Sequence, residues 1–241
     1  MKKATTFFLL IISLTSFLQC TKKSNTQVFY LSGNFIGVRK GGLIKFYETK
    51  DYKNWKYSAN KDFRSTDAID EAFYFNGDYI GIRQGQNVKF YKTDKSGAWN
   101  YSPGKDFKSP HGVDGMFAFN GNPVGVWEGK TIKFYDTNSL GQWAESTVTN
   151  FNADSDIDEA FHFGRTYMGV REGLEIKFYL LGSKGGWSYI PGIDFATPNQ
   201  VDNVFCMNTG ALAVVKGATI KFYNLNAQRK WTYSTSCDFK F

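Results

Sequence analysis

Four aspartates recur at a fixed step, Asp70, Asp114, Asp158 and Asp202, each 44 residues from the last. Five tryptophans keep the same step at Trp55, Trp99, Trp143, Trp187 and Trp231. Carboxylates gathered on one ring would hold a hard cation through oxygen. Aromatic rings repeated around a disc, joined by Tyr57, Tyr101, Tyr189 and Tyr233, would offer stacking platforms for sugars. Each set also has a plainer reading. An aspartate can cap the turn entering its own strand and pair with a neighbouring lysine or arginine, and a tryptophan on an outer strand can seal the gap between repeats. Trp127 stands where the series Arg39, Arg83 and Arg171 has arginine, so it marks a candidate site that one repeat has specialised.

Other chemistry is thin. There is no Gly-x-Ser-x-Gly elbow, no phosphate-binding glycine loop and no Cys-His pairing at a suggestive spacing. Glu71 and Glu159 are carboxylates two repeats apart, and the other copies carry Gly115 and Asn203. The two histidines, His111 and His162, occupy inequivalent slots, so neither a transition-metal site nor haem is expected. No catalytic residues are assigned, and the chain is expected not to be an enzyme.

The elements that must position these residues follow from the repeat. Lys-Phe-Tyr returns at Lys45, Lys89, Lys133, Lys177 and Lys221, always at the 44-residue step. Phe63, Phe107, Phe151, Phe195 and Phe239 keep it too, each after aspartate except at Asn150. Within one unit, Ala72-Phe73-Tyr74-Phe75, Tyr79–Arg83, Asn87–Tyr91 and Trp99–Tyr101 read as four short strands with turns at Asn76-Gly77 and Gln84-Gly85-Gln86. No segment holds a 3.6-residue apolar period. Four antiparallel strands in about 44 residues make one propeller blade, so the chain is predicted to be an all-β, five-bladed β-propeller over 26–241. Its repeats fall at about 26–69, 70–113, 114–157, 158–201 and 202–241. A solenoid is the structural rival, but it would want capping repeats. With Lys40-Gly41-Gly42 as the turn, Gly37 is expected opposite Lys45 and Val38 opposite Ile44. Asp62-type residues are the expected partners of the repeated lysine.

Composition agrees. The chain has 241 residues, 42% hydrophobic and 18% aromatic, with 24 glycines against 5 prolines. That supports a sizeable core with many tight turns and excludes wholesale disorder. Three cysteines are too few for a disulfide scaffold. Cys206 and Cys237 fall on opposite ends and edges of one blade, too far apart to bond. Cys206 is expected to be a buried free thiol against the next blade, and Cys237 to lie near the surface.

Lys2 and Lys3 precede an apolar run from Phe7 to Leu18, which reads as a secretory signal and is too short for a comfortable membrane span. Leu18-Gln19-Cys20 resembles the lipobox of bacterial lipoproteins, with Phe17 and Gln19 departing from the usual residues. The resemblance implies a signal peptide over 1–19, lipidation of Cys20 and a tether over 20–25. It also implies localisation by a lipid anchor on a membrane of the bacterial cell envelope. Removing 1–19 lowers the net charge from +7 to +5. Mildly basic charge of that kind suits anionic envelope polymers, and an exported protein is not expected to meet nucleic acid.

Asp70-Glu71-Ala72-Phe73 and Asp158-Glu159-Ala160-Phe161 resemble the opening of hemopexin-type repeats, with Asp114-Gly115-Met116-Phe117 and Asp202-Asn203-Val204-Phe205 as looser copies. The departures are five repeats where that family has four, and Ile-Gly-Ile and Ile-Lys-Phe-Tyr in the second and third strands. The resemblance implies an ion, calcium or sodium, in the central channel near Asp70, Asp114, Asp158 and Asp202. It does not carry haem binding. The blade number is similar to that of tachylectin-type lectins, whose repeat signature is absent. The expected function is a non-enzymatic, lipid-anchored envelope module that binds a glycan or a protein. The alternatives are an ion-stabilised scaffold without a small-molecule ligand and, third, an enzyme acting on envelope polymers.

Overall fold

A computed structural model describes residues 26–241 apart from 121–122, 139–140, 165 and 208–209. The signal, Cys20 and the tether lie outside the described residues. Five separate antiparallel sheets follow one another along the chain. In the first, Thr26–Tyr30, Phe35–Lys40 and Leu43–Glu48 form the three inner strands, in that order from the centre. The outer strand is split: Lys56–Tyr57 and Phe63–Arg64 both pair with Leu43–Glu48, one on each side of a single 3₁₀ turn at Ala59–Lys61. In the third blade the same edge runs unbroken as Trp143–Asn152. The innermost strands line up beside one another around the axis, the fifth blade's meeting the first. The fold is the predicted five-bladed β-propeller.

Alternation explains the packing. Each blade presents one apolar face to each neighbour, and five clusters of buried side chains fill the five seams. The Lys-Phe-Tyr phenylalanines Phe46, Phe90, Phe134, Phe178 and Phe222 sit at their centres, almost wholly buried. Each contributes roughly 1.5–3 kcal/mol by leaving water.

The hairpin register lies one residue away from the expected one. Gly41 and Gly42 form a two-residue turn, with Gly41 at positive φ, so Lys40 pairs with Leu43 and Gly37 with Phe46. Gly37 therefore faces an aromatic ring and not Lys45. The reason is Phe29, whose ring lies over Gly37 and meets Phe46 edge-on at 6.2 Å. A side chain on Gly37 would collide with that ring. Gly81, Gly125 and Gly169 serve Phe73, Phe117 and Phe161 in the same way.

The repeated lysine also differs from expectation. Lys45, Lys89 and Lys221 lie over the rings of Tyr57, Tyr101 and Tyr233 at 5.2–5.9 Å. The Asp62-type carboxylates are taken by the tyrosine hydroxyls: Tyr57 donates to Asp62 at 2.6 Å, and Tyr101, Tyr189 and Tyr233 donate to Asp106, Asp194 and Asp238.

Candidate functional site

The channel is bounded by the innermost strands, and at one end its side chains are consumed in holding blades together. The slot that follows Thr26, Asp70, Asp114, Asp158 and Asp202 at the start of each inner strand reads Gln27, Glu71, Gly115, Glu159 and Asn203. Gln27 accepts from the Ala72 amide at 2.9 Å, Glu71 from Met116 at 2.8 Å, Glu159 from Val204 at 2.7 Å, and Asn203 from Val28 at 2.9 Å. Each bond crosses to the following blade, and the last joins the fifth blade to the first. The facing residue on the second strand matches in kind. Arg39 donates to Gln27 at 3.2 Å, Arg83 to Glu71 at 3.0 Å, and Arg171 is ion-paired with Glu159 at 3.4 Å. Burial pulls the Arg39 guanidinium below its ordinary pKa, against the attraction of Glu71 and Asp70. A buried charge is tolerated here because its partner is charged or strongly polar.

Gly115 faces Trp127, the aromatic that the repeat marked as a candidate site. Trp127 is 2% exposed and its ring fills the space a side chain on Gly115 would occupy. One repeat has exchanged a Glu–Arg pair for a glycine and an indole of matching volume.

The aspartates do not converge. Asp70, Asp114, Asp158 and Asp202 each accept a backbone hydrogen bond at 2.6–2.7 Å from the turn glycine of their own blade: Gly85, Gly129, Gly173 and Gly217. Arg83 and Arg171 stand 3.9 and 3.7 Å from Asp70 and Asp158. Among the described residues no group of three His, Cys, Asp or Glu is placed to hold a metal. The physical reason is local: a carboxylate one residue before the strand reaches the hairpin amide of its own blade more readily than the axis. The channel itself encloses about 630 Å³, and toward its other end Tyr30, Tyr74, Ala118, His162 and Cys206 share one repeat slot.

The five tryptophans belong to the seams. Trp99 lies on Phe46 of the preceding blade at 5.4 Å, Trp143 on Phe90 at 6.0 Å, Trp187 on Phe134 at 5.6 Å, Trp231 on Phe178 at 5.6 Å and Trp55 on Phe222 at 6.0 Å. Trp99, Trp143 and Trp231 also donate from Nε1 to the carbonyls of Lys61, Lys105 and Ile193. Their half-buried rings thus help to close the seams between blades.

The exposed aromatic surface lies on the outer edge instead. Tyr57, Tyr101, Tyr189 and Tyr233 are 37–48% exposed at one station of four blades. The hydrogen bond to its aspartate is the first cause that raises each phenol's pKa. The third blade carries Glu145 at that station and Asn150 in place of the aspartate. Asn150 donates to Glu145 at 3.1 Å, and Lys133 turns from an aromatic face to Glu145 at 3.6 Å and to His111 Nε2 at 2.9 Å. His111 Nε2 is 3.9 Å from Glu145. Reading the sequence for recurrent residues passed over this cluster. Its signal was the joint departure of Glu145 and Asn150 from Tyr and Asp.

The fold and these sites define the class: a five-bladed β-propeller of antiparallel blades, four of which carry an exposed tyrosine at one station of the outer strand. No family model matches the chain, and no curated protein matches it. Solved structures do. A protein from Lactobacillus plantarum is 9% identical with a TM-score of 0.49, over 86% of this chain and 69% of that one. A functionally unknown protein from Desulfotomaculum acetoxidans is 12% identical at 0.50, over 88% and 69%. U3-55K is 14% identical at 0.44, over 88% and 66%. The D. acetoxidans likeness speaks to the fold alone.

Proposed function

We propose that this protein is a non-enzymatic binding module of a bacterial cell envelope, held to a membrane through a lipid on Cys20, and that its ligand is a glycan. The observation that carries the reading is the rim. Four blades present an exposed tyrosine whose hydroxyl is fixed by an aspartate, and three of them place a lysine ammonium over the ring. An exposed phenol with a carboxylate at its hydroxyl and an ammonium over one ring face complements what a sugar ring presents: C–H faces and hydroxyls. Repetition suits a polymer, because several weak contacts on one chain multiply into avidity.

Full-length protein in detergent, applied to immobilised glycans, tests this. Saturable binding that a Tyr57→Ala, Tyr101→Ala, Tyr189→Ala, Tyr233→Ala variant weakens at least tenfold supports the reading. A wild-type protein that captures no glycan overturns it.

A further inference from the structure

The third blade departs from the other four at its outer station, and a recess of about 190 Å³ lies beside that station. The floor is Val126 and the almost fully buried Tyr135; the walls are His111, Lys133 and Glu128, with Gly112 and Thr131 at the lip, and Glu145 sits beside it, held by its contacts to Lys133 and His111. The corresponding recess on the first blade is about 100 Å³ and is capped by Phe241, over which Lys40 lies at 5.2 Å.

We propose that this recess is a dedicated pocket for one neutral sugar ring, with Lys133 and Glu145 gripping a pair of adjacent hydroxyls. The inference rests on the glycan reading and goes beyond it by assigning a single pocket and its ligand chemistry. Three observations carry it. The first is the coupled exchange. A Tyr–Asp hydrogen bond has become a Glu–Asn bond, so the outer strand is still fastened while the free carboxylate moves onto the strand beside Lys133. The second is unused bonding capacity. Lys133 to Glu145 at 3.6 Å and His111 to Glu145 at 3.9 Å are ion-pair separations beyond hydrogen-bond reach, and all three side chains are 30–44% exposed. Glu145 has acceptor positions left over after Asn150, and Lys133 has donors left over after His111. One carboxylate and one ammonium side by side match a vicinal diol, which both donates and accepts. The third is charge. Lys133 is balanced by Glu145, and the further carboxylate of Glu128 on the wall disfavours an acidic sugar. Gly112 keeps the lip open, since a side chain there would collide with Glu128.

The probes are methyl glucoside, methyl galactoside and methyl mannoside, titrated into full-length protein in detergent. The Glu145→Tyr, Asn150→Asp variant rewrites the third blade in the residues the other four already carry, so its fold has internal precedent. At least one glycoside is expected to bind the wild type, and its affinity to fall at least tenfold in the variant. The chain has two histidines, so NMR of their ring protons gives a second readout: the glycoside should shift His111 and leave His162 unmoved. Unchanged affinity in the variant, an unmoved His111 signal, or a wild type that binds none of the three overturns the pocket. If immobilised glycans are still captured through the rim tyrosines, the broader reading survives that failure.

Discussion

Trp127 stands opposite Gly115 on the neighbouring strand and fills the volume its missing side chain leaves. In the second blade the same two positions hold Arg83 and Glu71, bonded at 3.0 Å. The two pairs are alternative solutions to one junction. Gly115→Glu alone should cost about 1–3 kcal/mol by overpacking against the indole. Trp127→Arg alone should cost about 3–5 kcal/mol by burying a guanidinium without its carboxylate. The double variant should recover most of the loss, with a coupling energy of about 2–3 kcal/mol by urea denaturation. Additive losses would show that the positions do not compensate.

The seam tryptophans are unequal. Trp99 Nε1 donates to the Lys61 carbonyl at 2.6 Å, whereas Trp55 Nε1, at the junction of the fifth and first blades, is buried without a hydrogen-bond partner among the described residues. Replacing either by phenylalanine loses similar ring area. Trp99→Phe should therefore be the more destabilising, by about 1 kcal/mol, the net worth of one hydrogen bond. Equal midpoints in parallel urea titrations would refute the difference.

Alkaline pH should loosen the molecule. Burial, seconded by Glu145 and Glu172 respectively, pushes the phenols of Tyr135 and Tyr179 from 10.0 up to about 12. Burial likewise pushes the Cys206 thiol from 9.0 up to about 12. In the folded chain these groups keep protons that the unfolded chain has already released, so their stabilising contribution is full below pH 9 and lost as pH rises toward 12. Urea midpoints should stay level from pH 7 to about 9 and fall above it. A midpoint still level at pH 11.5 would contradict these assignments.

Cys206 and Cys237 are free thiols on opposite sides of the fifth blade. Cys206 packs into the seam with the fourth blade and not, as its place in the repeat suggested, against the next one, and its residue is half-buried. Its Sγ donates to the Met207 carbonyl at 3.1 Å. Cys237 lies against the seam with the first blade, 3.3 Å from Ser234 Oγ. Iodoacetamide at pH 8 should label Cys237 well before Cys206, whose thiolate is scarce there. Mass spectrometry of the unreduced protein should find no peptide joining the two.

The proposed lipid on Cys20 would sit ahead of the strand that begins at Thr26, so its loss should leave the propeller's folding unchanged. A Cys20→Ala protein should leave the membrane fraction while melting like the processed wild type. Retention in the membrane fraction would remove the lipid from the proposal.

The sequence by itself determined the number of blades, their 44-residue phase and the order of strands within each. Lys-Phe-Tyr, the tryptophans and the strand-end phenylalanines recur without a single insertion, and a period of that length with turn residues at fixed places admits few architectures. It also marked Asn150 and Trp127 as departures, while Glu145 went unmarked. What each departure does was decided only by tertiary structure. Trp127 looks like an exposed aromatic until Gly115 is brought opposite it. Asp70 looks like a channel ligand until the Gly85 amide is found 2.6 Å away. The hairpin register turned on a single ring, Phe29 needing the space over Gly37, a contact between strands that alternation cannot express. His111 meets Lys133 across 22 residues because a blade connection folds back over the third strand. Periodicity records which residues share a role within a repeat; the partner that completes each role often comes from the adjoining strand or the next blade, and only closing the ring brings it within reach.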